Sequence, residues 1–246
     1  MKRKIFHQEL MLTDLGFDYQ LRLSNRKTAA IEIKHGVVTV AAPKHASKEQ
    51  LHQWVAAKSN WILKKIEQHR TQALTTPKRQ YTEDEIWSFM GHDYSLKIIY
   101  NKRAKPFILD NDIFVCLNFA EKKYSTDQQQ QKIKLHLTNW YKDSARDYMV
   151  HKTQQLASKL GKRISNVQFR RTKTKWGHCT SRGIIQYNWL IMMAPEPIID
   201  YLIAHEVSHL VHPNHSPKFW QLVVQLNPDF KKHKQWLLQH GHSMDI

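Results

Sequence analysis

From Phe17 to Pro43 apolar side chains alternate with polar ones: Tyr19, Leu21 and Leu23, then Ile31 and Ile33, then Val38 and Val40. A period of two places every second side chain on one face of a strand, so this stretch predicts a small antiparallel meander with His35-Gly36 as a turn. The period then lengthens. Leu51, Trp54, Val55, Ile62 and Ile66 recur at helical spacing behind Ser47 and Gln50, which have the spacing of a capping box, and predict one helix from about Lys48 to His69. Thr71 to Glu85 carries turn residues and no period, as a loop or linker does. Short strands are expected around Ile86 to Phe89, Tyr94 to Tyr100, Phe107 to Leu109 and Ile113 to Leu117, with turns at Gly91 and Asp110-Asn111-Asp112.

At Glu121 to Gln131 the pattern gives way to a polar stretch, which sets the expected domain boundary: residues 1–126 as a β-rich region with one helix, residues 127–246 as a second domain. Ile133, Leu137, Trp140, Tyr141, Tyr148, Leu156 and Leu160 then form one broad apolar helix face, closed by Gly161. Ile164 to Arg171 and Ile184 to Ile191 read as strands flanking a turn-rich segment, Thr172 to Gly183. An apolar helix from Ile198 to Val211 follows, with Ile199, Ile203, Val207 and Leu210 facing a core. Phe219, Trp220, Val223 and Leu226 mark a short amphipathic helix, Asn227-Pro228 caps the next, and Trp236 and Leu237 pack it back. The fold class expected is α+β.

The chemistry concentrates at the end of the Ile198 to Val211 helix, in His205-Glu206-Val207-Ser208-His209. Histidines four residues apart project from one helix face, so two imidazoles can share one metal ion. Glu206 sits on the same flank, where it could take a proton from a water activated by the metal. Catalytic zinc keeps three protein ligands and an open fourth position, so a third ligand is needed. Pro213 ends the helix and Ser216-Pro217 opens the next, which leaves His215 on a tight turn able to fold back. His212 is the rival, but with His205 and His209 it would form a near-linear row, a poor match to a tetrahedral apex. The assignment is one Zn²⁺ on His205, His209 and His215, with Glu206 as general base.

Composition changes the picture in two places. A net charge of +17 favours contact with a polyanion, and Lys159, Lys162, Arg163, Arg170, Arg171, Lys173 and Lys175 crowd before Trp176. This supports an alternative reading, a nucleic-acid-associated module in which the zinc is structural. The two cysteines, Cys116 and Cys179, lie outside any C-x-x-C pattern, and the N-terminus lacks the apolar core of a signal peptide, both of which suit a reducing cytoplasm. No run of about 18 apolar residues exists to span a membrane. The sequence sets no oligomeric state.

Several further strings point the same way: Lys175-Trp176-Gly177-His178-Cys179, Ile185-Gln186-Tyr187-Asn188, Ile199-Asp200-Tyr201 and Asn214-His215-Ser216-Pro217-Lys218-Phe219-Trp220. Together with Ser24-Asn25-Arg26-Lys27, Val38-Thr39-Val40-Ala41-Ala42-Pro43 and Trp61-Ile62, they resemble the YgjP-like zinc metallopeptidases, related to SprT-type proteases. The resemblance covers almost the whole chain. It implies a zincin-like α+β catalytic domain acting on peptide or protein substrates, with zinc on His205, His209 and His215 and Glu206 as base. One departure is His178, where the family usually has serine. Trp176, His178 and Asn188 are candidates for binding substrate or the transition state, since an imidazole could donate to a developing oxyanion. The segment Thr172 to Asn188 reads either as an edge that holds a substrate strand or as a plain structural hairpin. The His205 to His215 spacing also equals the metzincin pattern, but the glycine expected at His212 is absent and no Met-turn can be assigned.

Overall fold

A computed structural model describes residues 7–34, 36–75, 78–102 and 105–246. His35 of the expected turn lies outside them. The chain forms a mixed α+β structure that divides into two compact units, Met1–Pro77 and Lys78–Ile246.

In the first unit, β1 (His7–Met11), β2 (Tyr19–Ser24), β3 (Ala30–Lys34) and β4 (Val37–Pro43) pair in the order β1-β2-β4-β3. β2 runs parallel to β4, Leu21 opposite Val40, and β3 lies outside β4, so the sheet is no simple meander. The alternation did identify the buried face: Tyr19, Leu21, Val38 and Val40 are all in the core. The expected single helix is two, α1 (Lys48–Ala56) and α2 (Ser59–Thr75). The break falls just before Ser59-Asn60, residue types that favour starting a helix over continuing one. Ser47 caps α1, accepting from Gln50 N at 3.3 Å.

In the second unit, β5 (Ile86–Phe89), β6 (His92–Tyr100), β7 (Phe107–Leu109) and β8 (Asp112–Leu117) repeat the same plan, β5-β6-β8-β7 with β6 parallel to β8. The 34-residue helix α3 (Thr126–Lys159) starts on a Ser125–Gln128 capping box. Its buried positions are Ile133, Leu137, Tyr141, Ala145, Met149, Thr153 and Ala157, a strict four-residue spacing. Each such step overshoots a full turn by about 40°. The buried stripe therefore winds around the helix, and the single broad face expected from sequence is a spiral. One end packs on β8 and the other on β9 (Asn166–Arg170) and α4 (Glu196–Ser208). Tyr141 adds a hydrogen bond of 2.6 Å to the Ser88 carbonyl of β5.

The boundary expected at 126/127 falls inside the second unit, Lys78–Ile246. Trp87, Leu96, Ile113 and Leu117 share one hydrophobic core with Ile133, Leu137, Tyr187 and Ile199. A polar stretch at the surface of a continuous core looks in sequence like a linker. The close approach is visible at Gly91 (φ +84°), where a Cβ would lie 2.8 Å from Pro195 Cα.

The third sheet is ordered β10-β11-β9, with β10 (Gly177–Cys179) at the edge and β11 (Ile184–Asn188) central. β11 pairs with β9 in parallel, so the two strands expected to flank a turn do not form a hairpin with each other. The intervening segment supplies β10, antiparallel to β11, with His178 opposite Gln186. Helices α4, α5 (Pro217–Leu226) and α6 (Phe230–His240) complete the unit. Asp229, and not Asn227-Pro228, is the residue at the start of α6. No helix among the described residues is long and apolar enough to cross a membrane.

Candidate metal centre

Helix α4 is buried on nearly every side, with Ile198, Ile199, Leu202, Ile203 and Val207 in the core. It stops at Ser208, about a turn before Pro213, and His209 is its C-cap. Ser208 Oγ donates back to the Ala204 carbonyl at 2.7 Å, a bond that bends helices. The chain then tightens into three-residue steps, Leu210 N to Val207 O at 3.0 Å and Val211 N to Ser208 O at 3.1 Å. That early stop gives the segment 210–215 room to curl back over the helix end. Ser216 fixes the return by capping α5, accepting from Phe219 N at 3.4 Å.

The result is a cluster of three imidazoles, His205, His209 and His215, whose ligand nitrogens all lie within 4.8 Å of one another. His205 Nε2 and His215 Nε2 face each other at 3.1 Å. Tetrahedral zinc with bonds of about 2.0 to 2.1 Å holds nitrogen pairs roughly 3.4 Å apart, so three nitrogen donors at this spacing fit one such ion and leave a fourth position open. His209 is oriented by its Nδ1, which hydrogen-bonds the His212 carbonyl at 3.2 Å and turns Nε2 free. His212 thus serves through its backbone, and its ring stands outside the cluster.

The cluster rests on Phe219, a fully buried ring that touches all three histidines at centroid distances of 5.0, 4.5 and 4.8 Å. Trp220 stacks on His215 at 5.5 Å. Lys234 in turn sits 4.6 Å over the Trp220 ring. The sequence marked Phe219 and Trp220 only as one face of an amphipathic helix, although their place directly after Ser216-Pro217 ties them to the turn that carries His215. Burial, then the neighbouring His209, His215 and Lys234, push the His205 imidazole down to about 3, which keeps it neutral and its lone pair available.

Glu206 is buried beneath β10, with Oε2 unpartnered among the described residues. Gly177 makes this possible: a Cβ there would stand 2.6 Å from Glu206 Cγ. Burial lifts the Glu206 carboxyl to about 8, opposed by the charge of Lys175. Cys179, on the same face of β10, is pushed up to about 11 by burial and by the Glu206 charge. His178 alternates to the exposed side of the strand. Trp176 is half-buried against the core, and a Cβ on Gly241 would meet its indole at 3.0 Å.

Asn188 has a different place from an open substrate contact. Its side chain is buried, donating from Nδ2 to the Thr172 carbonyl at 3.1 Å and accepting from Leu190 N at 3.2 Å. Its backbone N donates to the Trp176 carbonyl at 2.7 Å. Asn188 therefore pins the 172–176 loop beside the cluster. Arg171, counted in the basic run, is engaged with Asp245 and with the Ile246 carbonyl.

A buried glutamate between two of three converging histidines, under an edge strand, is the arrangement to which the whole sequence answers: residues 27–240 match the YgjP-like, metallopeptidase domain family. The chain belongs to the YgjP-like family. No curated protein matches it. Among solved structures, this YgjP-like chain is similar to the metallopeptidase zymogen abylysin of Pyrococcus abyssi, with 21% identity and a TM-score of 0.34. That likeness covers 37% of this chain and 91% of abylysin.

Proposed function

We propose that the protein is a zinc-dependent peptidase of zincin-like design, with His205, His209 and His215 as ligands to one ion and Glu206 as general base. The observation that carries this is the pairing of the three-nitrogen cluster with a buried glutamate whose Oε2 has no hydrogen-bond partner among the described residues. Zinc, when bound, supplies Lewis acidity: it polarises a carbonyl and brings the pKa of water to about 7.

The remaining work falls to the chain. Glu206 would accept the proton of the attacking water at Oε2 and return it to the leaving amine nitrogen. With a divalent cation nearby Glu206 would ionise more readily than burial alone allows. Edge strand β10 has one side unpaired among the described residues, so an extended peptide could add to it beside Glu206. His178 is exposed on that strand and would contact substrate, whereas Asn188 and Trp176 would position the loop before it.

The test compares zinc-loaded wild type and Glu206→Gln on a broad peptide library, with zinc content measured in both. The variant should bind zinc equally and lose about 100-fold to 10,000-fold in rate. Equal activity in the two proteins would reject Glu206 as the base.

A further inference from the structure

A cavity of about 590 Å³ shares His209 with the metal cluster and extends away from it past Leu210 and Pro213. Its opposite wall is basic: Lys162, Arg163 and Arg182 line it together with Thr180, and among the described residues no acidic one does. Among the described residues none of these three cations is ion-paired with a carboxylate. Isolated surface cations are ordinary. These three come from two separate segments that the fold clamps around one concavity.

The clamp is specific. Helix α3 ends with Gly161 in the left-handed region (φ +63°), and Lys162 N returns to the Ala157 carbonyl at 2.9 Å, which turns the chain sharply before Arg163. The β10–β11 turn is closed by Thr180 Oγ1, which accepts from Ile184 N at 3.1 Å. Ser165 then ties the two segments, donating from Oγ to the Arg182 carbonyl at 2.6 Å and from N to the Gly183 carbonyl at 2.9 Å. Gly183 (φ +74°) sits so close that a Cβ would lie 3.3 Å from Ser165 Oγ.

We infer that this cavity is a substrate subsite for a peptide carboxylate, held by Arg163, Arg182 and Lys162, and that it selects substrates with an acidic group near the bond cleaved. This rests on the peptidase reading above. The distance follows from strand geometry. β10 runs from Gly177, against Glu206, to Cys179, in the cavity wall. A peptide paired with that strand advances about 3.3 Å per residue, so a group one to three residues from the reacting carbonyl enters the cavity. The carboxylate can come from an Asp or Glu side chain or from the peptide C-terminus. Its position at the end of an edge strand suits a peptide better than a continuous track of phosphates.

The experiment uses the full-length zinc-loaded protein and an alanine-rich host peptide in which Asp or Lys is walked through three positions on each side of the cleaved bond. Each peptide is made with a free and with an amidated C-terminus. One position, or the free terminus, should raise kcat/KM by about tenfold over alanine. The ratio should fall to near one in Arg163→Ala/Arg182→Ala and turn toward Lys in Arg163→Glu/Arg182→Glu. A side-chain subsite shows the preference in amidated peptides, and a C-terminal subsite loses it there.

A second arm is independent of turnover: anisotropy of labelled acidic, neutral and basic peptides, and of a single-stranded oligonucleotide, on Glu206→Gln and its double-arginine variants. If no peptide is cleaved, the peptidase reading fails and this arm alone decides the subsite. Arginine-dependent binding of the acidic peptide supports it. Equal binding of all three peptides, a preference that survives removal of both arginines, or arginine dependence confined to the oligonucleotide overturns it.

Discussion

Gly177 and Glu206 are in direct contact across the gap between β10 and α4: the strand backbone lies where only a hydrogen can stand, 2.6 Å from Glu206 Cγ if a methyl were built there. Gly177→Ala should therefore displace the carboxylate or lift the edge strand, because neither backbone nor buried side chain has room to give. Overpacking of this kind costs about 1 to 3 kcal/mol. A misplaced base costs more in rate than in stability, and kcat/KM should fall about 100-fold while the protein still binds zinc. Steady-state kinetics, metal analysis and thermal melting on one preparation separate these effects.

The two histidines that compete in sequence for the third ligand should separate cleanly in metal binding. His215→Ala removes a nitrogen of the cluster and should weaken zinc by more than about 100-fold, beyond the range for a supporting residue. His212→Ala leaves the carbonyl that orients His209 and should change affinity by less than about threefold. Competition against a chromophoric chelator measures both. Chelation should also lower the melting temperature of wild type, since an ion at 100 times its Kd adds about 2.7 kcal/mol, and this shift should vanish in His215→Ala.

Phe219 predicts a split between stability and affinity. Truncation to alanine empties a fully buried site and should cost about 3 to 5 kcal/mol. Phe219→Leu keeps most of the volume but loses the flat ring against which three imidazoles rest. It should cost far less stability yet weaken zinc about tenfold. Equal zinc affinity in Phe219→Leu and wild type would reduce Phe219 to simple packing.

Glu121 gives a pH dependence remote from the metal. Burial pushes its carboxyl up, but the Asn118 N–H, donating at 2.8 Å, and the Lys132 ammonium at 3.3 Å outweigh it, and the folded pKa lies below the ordinary carboxylate value of 4.5. A carboxyl depressed on folding contributes stability that is complete above its unfolded pKa and is lost as pH falls through the folded value. Glu121→Gln should be less stable than wild type by about 1 kcal/mol at pH 7, or about 2 to 4 °C in Tm. That gap should close below pH 4.5. A gap that stays constant to pH 3 would show that shape, not charge, is what Glu121 provides.

What could be read in the sequence was local. His205 and His209 share a helix flank because four residues make about one turn, and the Ser216-Pro217 start of α5 fixed where His215 must fold back. The alternation in Tyr19, Leu21, Val38 and Val40 marked a buried face, but a period of two names a face and not a partner. The parallel pairings of β2 with β4 and of β9 with β11 were hidden for that reason. The break between α1 and α2 was masked by an apolar period that continues through Ile62.

The sequence by itself determined the candidate residues: three histidines and a neighbouring glutamate whose spacings follow from helix pitch and from the rigid φ of proline. Only the tertiary structure decided what surrounds them. It put Gly177 against Glu206, Phe219 beneath three imidazoles, and the cations of residues 162–163 and 182 around one cavity. Those contacts join residues 29 positions apart for Gly177 and Glu206, 4 to 14 for Phe219 and the histidines, and 19 to 20 for the cavity cations. Such long-range closures are chosen by core packing, where volumes must match, and no local period encodes them.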